Sequence, residues 1–369
     1  METKTHIWKQ KEKNKKIFFF FKNKNKNKNN LLSKKLSTKK IKYNIFIYSN
    51  IYNSIIYDKN KNILIFNGKH PSKFIQEGNI YKYINVSNIK KISNGINFTL
   101  ILSKDNKLYA FGDNVHGQCG IDNLKYPIVE IPTIINYFKK IIIDIVCLFE
   151  TSYVLLENNE LYIFGENINT YIPQKIIIFD KIDKILPSSL SYTLNILTDS
   201  GKIYKGNIDM EKKFSFSLFF IIDKNKFKGF FNFITSNFIL LEDNIVYIKD
   251  TNYDEYEKYE IPSLIPIGPE EHIIKIIGNI NIIVYLTTKS VYVFGSNKYN
   301  LFGNINEKNE IEFFRNKNII DIIISPTTAM AISKNGIVYG WGLNEKNIGL
   351  LRNTKETIRY NSPIILYSS

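Results

Sequence analysis

The chain has 369 residues and a formal net charge of +16, and it contains two cysteines. This length is enough for one large domain or two ordinary ones. Cys119 and Cys147 form neither a metal-ligand spacing nor a disulfide framework. The sequence therefore excludes a disulfide scaffold and predicts a protein of a reducing compartment.

Most of the positive charge lies in the first 42 residues. They contain 15 lysines and 2 glutamates, whereas the rest of the chain carries a net charge of only +3. The centre of this segment, residues 22–30, alternates lysine with asparagine. Such a polar, low-complexity segment cannot bury a core, so we predict a disordered basic tail over residues 1–42.

Three interpretations of the tail remain open. Lys22, Lys24, Lys26 and Lys28 are candidate contacts to the phosphates of chromatin or another nucleic acid, or to an acidic protein surface. The same composition also follows from A/T-rich codons, whose residues are abundant throughout the chain. A Lys/Asn/Ser-rich leader ending near Ile41 also has features of an organellar transit peptide, although Glu2, Glu12 and the lack of arginine argue against it. We expect a cytoplasmic or nuclear protein, with organellar targeting as the alternative.

The apolar runs of the sequence are short. Residues 17–21 are fewer than a signal-peptide core needs. Residues 141–149 and 214–222 are shorter than the roughly 18 to 20 residues that cross a bilayer. We therefore expect no membrane span.

After the tail, one phrase returns seven times: an apolar run, a turn, an apolar–tyrosine pair and an aromatic–glycine step. The complete copy occupies residues 98–112, with its turn at residues 104–107. The second residues of the seven pairs are Leu64, Tyr109, Tyr162, Tyr204, Tyr247, Tyr292 and Tyr339. Their spacing, 42 to 53 residues, is typical of propellers and solenoids.

The turns distinguish between these two architectures. They combine Asp, Asn, Ser and Gly between paired apolar runs, which is typical of β-hairpins. Each repeat is therefore predicted to be a small antiparallel sheet. We expect an all-β fold, a seven-bladed β-propeller of four-stranded antiparallel blades over residues 43–369. The recurring tyrosines are expected to be packing residues of the blades.

A closed ring must fasten its two ends, because an unpaired edge is an aggregation hazard. We expect the late strand at residues 363–367 to join the same blade as residues 45–48 and 55–57.

A glycine-rich phrase follows the aromatic–glycine step of the complete copy. Residues 112–120 read Gly-Asp-Asn-Val-His-Gly-Gln-Cys-Gly. Glycine and asparagine at such positions allow tight turns, and the spacing fits neither a P-loop nor a dinucleotide-binding fingerprint. We expect a structural turn role for Gly112, Asn114, Gly117, Gln118 and Gly120, and for the weaker copies Gly295, Asn297, Gly303, Gly342 and Asn344.

This phrase and the hairpin before it resemble the repeat of the regulator of chromosome condensation family, a family of seven-bladed propellers. The pairings typical of WD40 blades and the glycine doublets of kelch repeats are missing from the sequence. The founding activity of the family is nucleotide exchange on a Ran-type small GTPase, with chromatin docking assisted by a basic tail. Many relatives use the propeller only as a docking platform.

Catalytic patterns are missing from the sequence. Neither cysteine is next to a histidine, and the four histidines (His6, His70, His116 and His272) show no metal-ligand spacing. We expect no catalytic residue, no metal site and no cofactor.

Two binding elements remain candidates. Asp113 and His116 are candidate partner contacts, with a solvent-facing turn as the simpler alternative. The acidic, tyrosine-rich residues 250–260 are interpreted as an irregular solvated connection, or else as a docking loop.

The sequence thus predicts a monomeric, non-catalytic protein-interaction propeller. The alternative is a guanine-nucleotide exchange factor for a Ran-type small GTPase at chromatin. Exchange of that kind needs no covalent chemistry, because the propeller would act by higher affinity for the nucleotide-free conformation of the GTPase.

Overall fold

A computed structural model describes the protein over residues 45–49, 53–68, 80–81, 86, 88–186, 194–208, 213–232, 236–241, 245–250, 256–260, 270–278, 282–295, 305, 309–344 and 356–368. The predicted tail, with Lys22, Lys24, Lys26 and Lys28, lies outside these residues. So do the turn residues Asn297 and Gly303.

The described backbone consists of β-strands and two single-turn 3₁₀ helices. The strands are β1 Ile45–Ser49, β2 Asn53–Asp58, β3 Ile63–Gly68, β4 Ile80–Tyr81, β5 Ile89–Asn94, β6 Phe98–Ser103, β7 Leu108–Asp113, β8 Ile128–Ile134, β9 Ile142–Leu148, β10 Thr151–Leu156, β11 Leu161–Gly165, β12 Thr170–Ile176, β13 Ile182–Leu186, β14 Asn195–Thr198, β15 Lys202–Ile208, β16 Phe214–Ile221, β17 Phe227–Asn232, β18 Ser236–Leu241, β19 Ile245–Asp250, β20 Tyr256–Glu260, β21 Ile273–Gly278, β22 Ile282–Thr287, β23 Val291–Gly295, β24 Ile319–Ile324, β25 Thr328–Ser333, β26 Ile337–Asn344 and β27 Ile358–Ser368. The 3₁₀ helices are Lys224–Lys226 and Glu312–Phe314. Within the described ranges we find no helix with the length and apolar character that a membrane span requires.

The strands pair as antiparallel sheets in chain order. Six sheets are complete four-stranded blades: β1–β4, β5–β8, β9–β12, β13–β16, β17–β20 and β24–β27. The remaining sheet, β21–β23, has three strands. The all-β propeller is confirmed, whereas the prediction of seven complete four-stranded blades is wrong.

Among the described residues, no regular outer strand completes the sheet β21–β23. Residues 309–311 meet β23 only through a bridge between Glu310 and Tyr292 and two flanking backbone bonds. The chain then turns at once into the 3₁₀ helix Glu312–Phe314. This segment is too short to form a fourth strand.

The first strand of each blade lies on the inside of the ring. β5 packs against both β1 and β9, β21 packs against β17 and β24, and β24 packs against β1. Ion pairs join two of these neighbours at the same register: Lys91 with Asp144, and Lys275 with Asp321, where Nζ and Oδ1 are 2.7 Å apart. A register shift after the first residue of the strand turns Lys91, Lys275 and Asp321 toward the adjacent blade.

The recurring tyrosines lie on the third strand of each blade, and several have a polar partner. The hydroxyl of Tyr204 donates to Asp180, that of Tyr292 donates to Glu271 over 3.3 Å, and that of Tyr162 donates to Glu160 over 3.5 Å. The side chain of Tyr247 is outside the described residues. These tyrosines pack with their rings and also bind a carboxylate with their hydroxyl groups, which the repeat pattern did not predict.

The ring closes by packing between two complete blades. β27 pairs with β26, where Tyr367 lies opposite Val338, and β1 belongs to the neighbouring sheet. The predicted sharing of a blade by residues 363–367 and 45–48 is therefore wrong. In the last blade, β27 follows β26 along the chain and takes the outer position, while the first blade is completed by β4.

Apolar and polar contacts hold this seam, which we define as the contact between the first blade and the last. Buried Ile45, Ile47 and Ile56 form one cluster with Met330, Ile332 and Val338. The Tyr367 hydroxyl donates to Asp58 Oδ2 over 2.7 Å, and Lys61 Nζ lies 5.5 Å from the centre of the Tyr367 ring.

Replacing Tyr367 with Phe is expected to lower the free energy of unfolding by about 1.5 kcal/mol, because buried Asp58 loses a hydrogen-bond donor. Burial and the hydrogen bond to Asp58 raise the pKa of Tyr367 from 10.0 to about 12. The hydrogen bond between Tyr367 and Asp58 therefore stabilises the fold fully below pH 10, and this stabilisation is lost as the pH rises through about 12. Urea denaturation at pH 8 and at higher pH measures both effects. Tyr360→Phe, in the same cluster, is the matched control, and an equal loss in both variants would contradict the prediction.

Candidate functional site: an exposed loop on a rigid turn

The loop between β7 and β8 is built around one buried side chain. Asn114 has no exposed surface. Its Nδ2 atom donates to the carbonyls of Ile121 and Tyr126, each over 2.8 Å, and its Oδ1 atom accepts from Cys119 N over 2.9 Å. A single amide therefore ties together both ends of residues 114–126.

Gly117 brings this loop against the next blade. Its φ angle is +82°, and a Cβ atom at this position would lie 2.4 Å from Tyr171 N. Only glycine fits such close contact with backbone at a positive φ. Gly112, Gly120, Gly295 and Gly342 also have positive φ angles, and Asn344 is fully buried at the end of β26. Gly112 and Gly342 are paired within β7 and β26, next to register shifts. Gly295 and Asn344 end their strands, and Gly117, Gln118 and Gly120 lie in the loop after β7.

Gln118 connects the loop after β7 to the neighbouring blade through hydrogen bonds. Its side chain is buried, with Oε1 accepting from His116 N over 2.9 Å, and its carbonyl accepts from Ser152 Oγ over 2.7 Å. The Nε2 atom has no hydrogen-bond partner in the described structure. Through these two hydrogen bonds, Gln118 links the backbone of His116 to Ser152 on β10.

His116 contacts the next blade through its side chain. Its Nε2 atom lies 3.2 Å from Oε2 of Glu150, and 39% of the histidine side chain is exposed. Glu150 lies in the turn between β9 and β10. Burial raises the pKa of Glu150 above 4.5 although His116 opposes the shift, and Glu166 and Asp113 add to it. The carboxylate therefore bears a cost of burial that the histidine offsets only in part.

The loop that carries His116 also exposes apolar side chains. Val115 is 54% exposed, Leu124 is 91% exposed and Tyr126 is 46% exposed. Asp113 Oδ1 accepts from Val115 N over 3.0 Å, and Asn123 Nδ2 donates to the Val115 carbonyl over 2.8 Å. Residues 113–126 together with Glu150 are called the loop face below.

The structure brings the predicted contacts Asp113 and His116 together and adds Glu150, Val115 and Leu124. Glu150 was missed because it lies 34 residues after His116, on another blade. A single sequence does not show which turns of adjacent blades meet. The sequence did contain a sign of the exposed apolar positions, because Val115 and Leu124 lie in a loop that is otherwise rich in polar residues.

Other candidate chemistry is weaker. Burial raises the pKa of both cysteines, that of Cys147 to about 12, which makes the thiols poor nucleophiles. Within the described ranges, no three His, Cys, Asp or Glu side chains converge as metal ligands. His272 donates its backbone N–H to Thr288 over 3.2 Å, while His6 and His70 are outside the described residues.

The acidic segment at residues 250–260 is partly regular. Tyr256–Glu260 forms β20, paired with β19, so the interpretation of an irregular connection is wrong for these residues. Residues 251–255 are outside the described part of the chain.

Replacing Glu150 with Gln is expected to favour the folded state more at pH 7 than at acidic pH. The raised pKa of Glu150 means that its protonated form stabilises the fold. This contribution is fully present below pH 4.5 and is lost as the pH rises through the raised pKa. The melting temperature of the variant minus that of the wild type should therefore fall on acidification. Melting curves from pH 7 to pH 4 measure this difference, with exposed Glu157→Gln as the control. A difference that does not change with pH would contradict the raised pKa of Glu150.

Comparisons with known proteins agree with this geometry. The model of the regulator of chromosome condensation (RCC1) repeat matches residues 89–118, which include β5 to β7 and the first half of the loop face. No curated protein matches the chain by sequence.

Solved structures resemble the fold at low sequence identity. Yeast RCC1 (Prp20), determined in complex with Kap60, is 14% identical with a TM-score of 0.65, covering 93% of this chain and 91% of that one. Prp20p from Saccharomyces cerevisiae, studied for binding to Gsp1p and histones, is 15% identical with a TM-score of 0.60, covering 76% and 77%. The CRINKLY WD40 ectodomain of the Arabidopsis thaliana receptor kinase ACR4 is 10% identical with a TM-score of 0.51, covering 83% and 96%. The chain thus contains one segment that matches the RCC1 repeat, and it shares the β-propeller fold of these structures.

Proposed function

We propose that the protein is a non-catalytic protein-interaction propeller that contacts its partner through the loop face. One observation carries the proposal: the loop that is held by buried Asn114 exposes Val115 and Leu124, and its His116 reaches Glu150 of the next blade. Exposed apolar side chains rimmed by polar groups are a feature of protein-interaction sites. A fixed loop also loses little conformational freedom on binding, which favours affinity.

The second candidate is guanine-nucleotide exchange on a Ran-type small GTPase at chromatin. It is supported by the RCC1 repeat at residues 89–118 and by the likeness to Prp20p, for which binding to Gsp1p and histones is reported. The lysines of residues 1–42 would contact phosphates or acidic histone surfaces. Under this proposal the protein acts in the nucleus, whereas a docking platform would also fit the cytoplasm.

Release of labelled GDP from a panel of small GTPases, Ran-type included, separates the two candidates. The full chain is compared with a variant in which Lys22, Lys24, Lys26 and Lys28 are all replaced by Ala. For a non-catalytic platform we expect no acceleration. Acceleration of about 100-fold, equivalent to roughly 2.7 kcal/mol, would establish exchange and overturn the leading proposal. Loss of nucleosome binding only in the lysine variant would assign chromatin contact to the tail.

The loop face itself is tested with a matched pair of surface variants. Leu124→Ser removes an apolar anchor from the loop face, and Phe179→Ser removes a 99% exposed side chain from the connection between β12 and β13, at the opposite ends of the strands. With immobilised GTPases of the same panel as probes, Leu124→Ser should weaken any complex about tenfold or more, while Phe179→Ser should leave it unchanged. Equal effects would show that the contact lies elsewhere.

A further inference from the structure

The outermost strand of a propeller blade has a free outer edge unless something covers it. Such an edge can pair with another strand, and proteins usually protect it with proline, charge or short length. Most complete blades of this chain follow the rule. β8 contains Pro132, β12 contains Pro173, β27 contains Pro363, β20 contains Glu257 and Lys258, and β4 has two residues.

The edge of the fourth blade has none of these protections. β16 is eight residues long and reads Phe-Ser-Phe-Ser-Leu-Phe-Phe-Ile, without a charge or a proline. It is the last strand of its sheet, and no described strand pairs with its outer edge.

The first half of β16 is regular and alternates in chemistry. Phe214 to Leu218 pair residue by residue with β15, before the register shifts at Phe219. The Phe214 ring lies 5.9 Å from the ring of Tyr153 and 5.0 Å from that of Phe216, so both phenylalanines turn toward the third blade. Ser215 and Ser217 are exposed, and Leu218 is 52% exposed.

Gly206 on β15 allows this arrangement. A Cβ atom at Gly206 would lie 2.5 Å from the tip of the Phe214 ring. The ring therefore folds over the sheet, and the backbone at the outer edge is left open to a further strand.

We propose that two copies of this chain associate by antiparallel pairing of β16, with the two-fold axis at Phe216. In this register Phe216 lies opposite Phe216 of the partner subunit, Ser215 opposite Ser217 of the partner subunit, and Phe214 opposite Leu218 of the partner subunit. The opposing residues are therefore an aromatic pair, two hydroxyl pairs and two pairs of an aromatic with an aliphatic side chain. Cross-strand pairs of these types stabilise antiparallel sheets.

The chemistry of the edge favours a second copy over other occupants. A strand without charge meets no like-charge repulsion when it pairs with itself, and it offers no counter-charge to a basic or acidic peptide or to nucleic acid. Because the pairing is isologous, each copy uses the same edge of β16, and association stops at two chains.

The expected dimer is weak. The five regular residues of β16 span about 17 Å, which is small for an interface that usually buries about 800 Å² on each partner. The association should therefore depend on concentration. This proposal sets aside the expectation of a monomer.

Sedimentation equilibrium of the full chain over a wide concentration range tests the proposal. The wild type should approach twice the monomer mass as concentration rises. Ser215→Lys places a lysine on the open edge and should raise the dissociation constant about tenfold or more. Thr133→Lys, on exposed β8, is the control and should leave it unchanged.

A charge exchange tests the register. In the double variant S215K/S217E, each lysine lies opposite a glutamate of the partner subunit, so dimerisation should return toward the wild-type value. Melting temperatures confirm that each variant is folded, and S217E alone is a second single variant if S215K is unstable. A monomeric wild type at all concentrations, a dimer unaffected by either single change, or a folded double variant that stays monomeric would each overturn the proposal.

Discussion

Gly117→Ala is expected to lower the free energy of unfolding by about 4 kcal/mol, one of the largest effects for a single methyl group in this chain. Part of the cost is the φ angle of +82°, which an L-residue rarely adopts. The larger part is the overlap with Tyr171 N at 2.4 Å, because backbone of the next blade cannot move aside as a flexible side chain can. Urea denaturation followed by far-ultraviolet circular dichroism measures the change.

Gly229→Ala is the matched control for this substitution. A Cβ atom at Gly229 meets no atom within 4 Å in the described structure. Alanine there should be neutral or stabilise slightly, since it reduces the freedom of the unfolded chain. Similar losses in the two variants would show that the contact between Gly117 and β12 has been misassigned.

Asn114→Ala is expected to cost about 3 kcal/mol. The substitution removes the donor to the half-buried carbonyls of Ile121 and Tyr126 and the acceptor for the buried N–H of Cys119. Amide hydrogen exchange should also accelerate across residues 115–126, because the side chain that joins the two ends of the loop is gone. Denaturation and exchange measured on the same samples provide both readouts.

Two further variants sharpen this prediction. Asn123→Ala removes one hydrogen bond from a half-buried position and should cost less than about 1 kcal/mol. Asn114→Asp retains the acceptor for Cys119 N but turns a carboxylate toward two carbonyl oxygens, so it should be as harmful as alanine. If aspartate behaves like asparagine, the two bonds donated by Nδ2 do not hold the loop.

The repeat made most of the architecture predictable from sequence. Paired apolar runs with Asn or Gly turns specify hairpins locally, so the strands around Tyr109, Tyr162 and Tyr339 were predictable one repeat at a time. Asn114 and Gly117 were assigned to a turn for the same reason: their conformations are set within a few residues. Structure that is determined by residues close together in the chain can therefore be predicted from the sequence.

Relations between blades were not predictable in the same way. The contacts of Tyr367 with Asp58, of His116 with Glu150 and of Lys91 with Asp144 all join residues on different blades. Any blade offers similar apolar edges, so hydrophobic pattern alone does not select the partner. The incomplete β21–β23 sheet was missed because residues 309–311 follow a repeat that otherwise resembles its neighbours.

The seam between the first and last blades sets an order of events during biosynthesis. Except for Ile65, the residues that share a cluster with Ile45, Ile47 and Ile56 all lie in the last blade, between residues 320 and 367. At typical rates of translation the ribosome needs about 15 to 60 seconds to cover that interval. The first blade therefore emerges with an apolar flank that stays uncovered until synthesis is nearly finished, and a nascent chain of this protein is a substrate for chaperones at its beginning more than at its end.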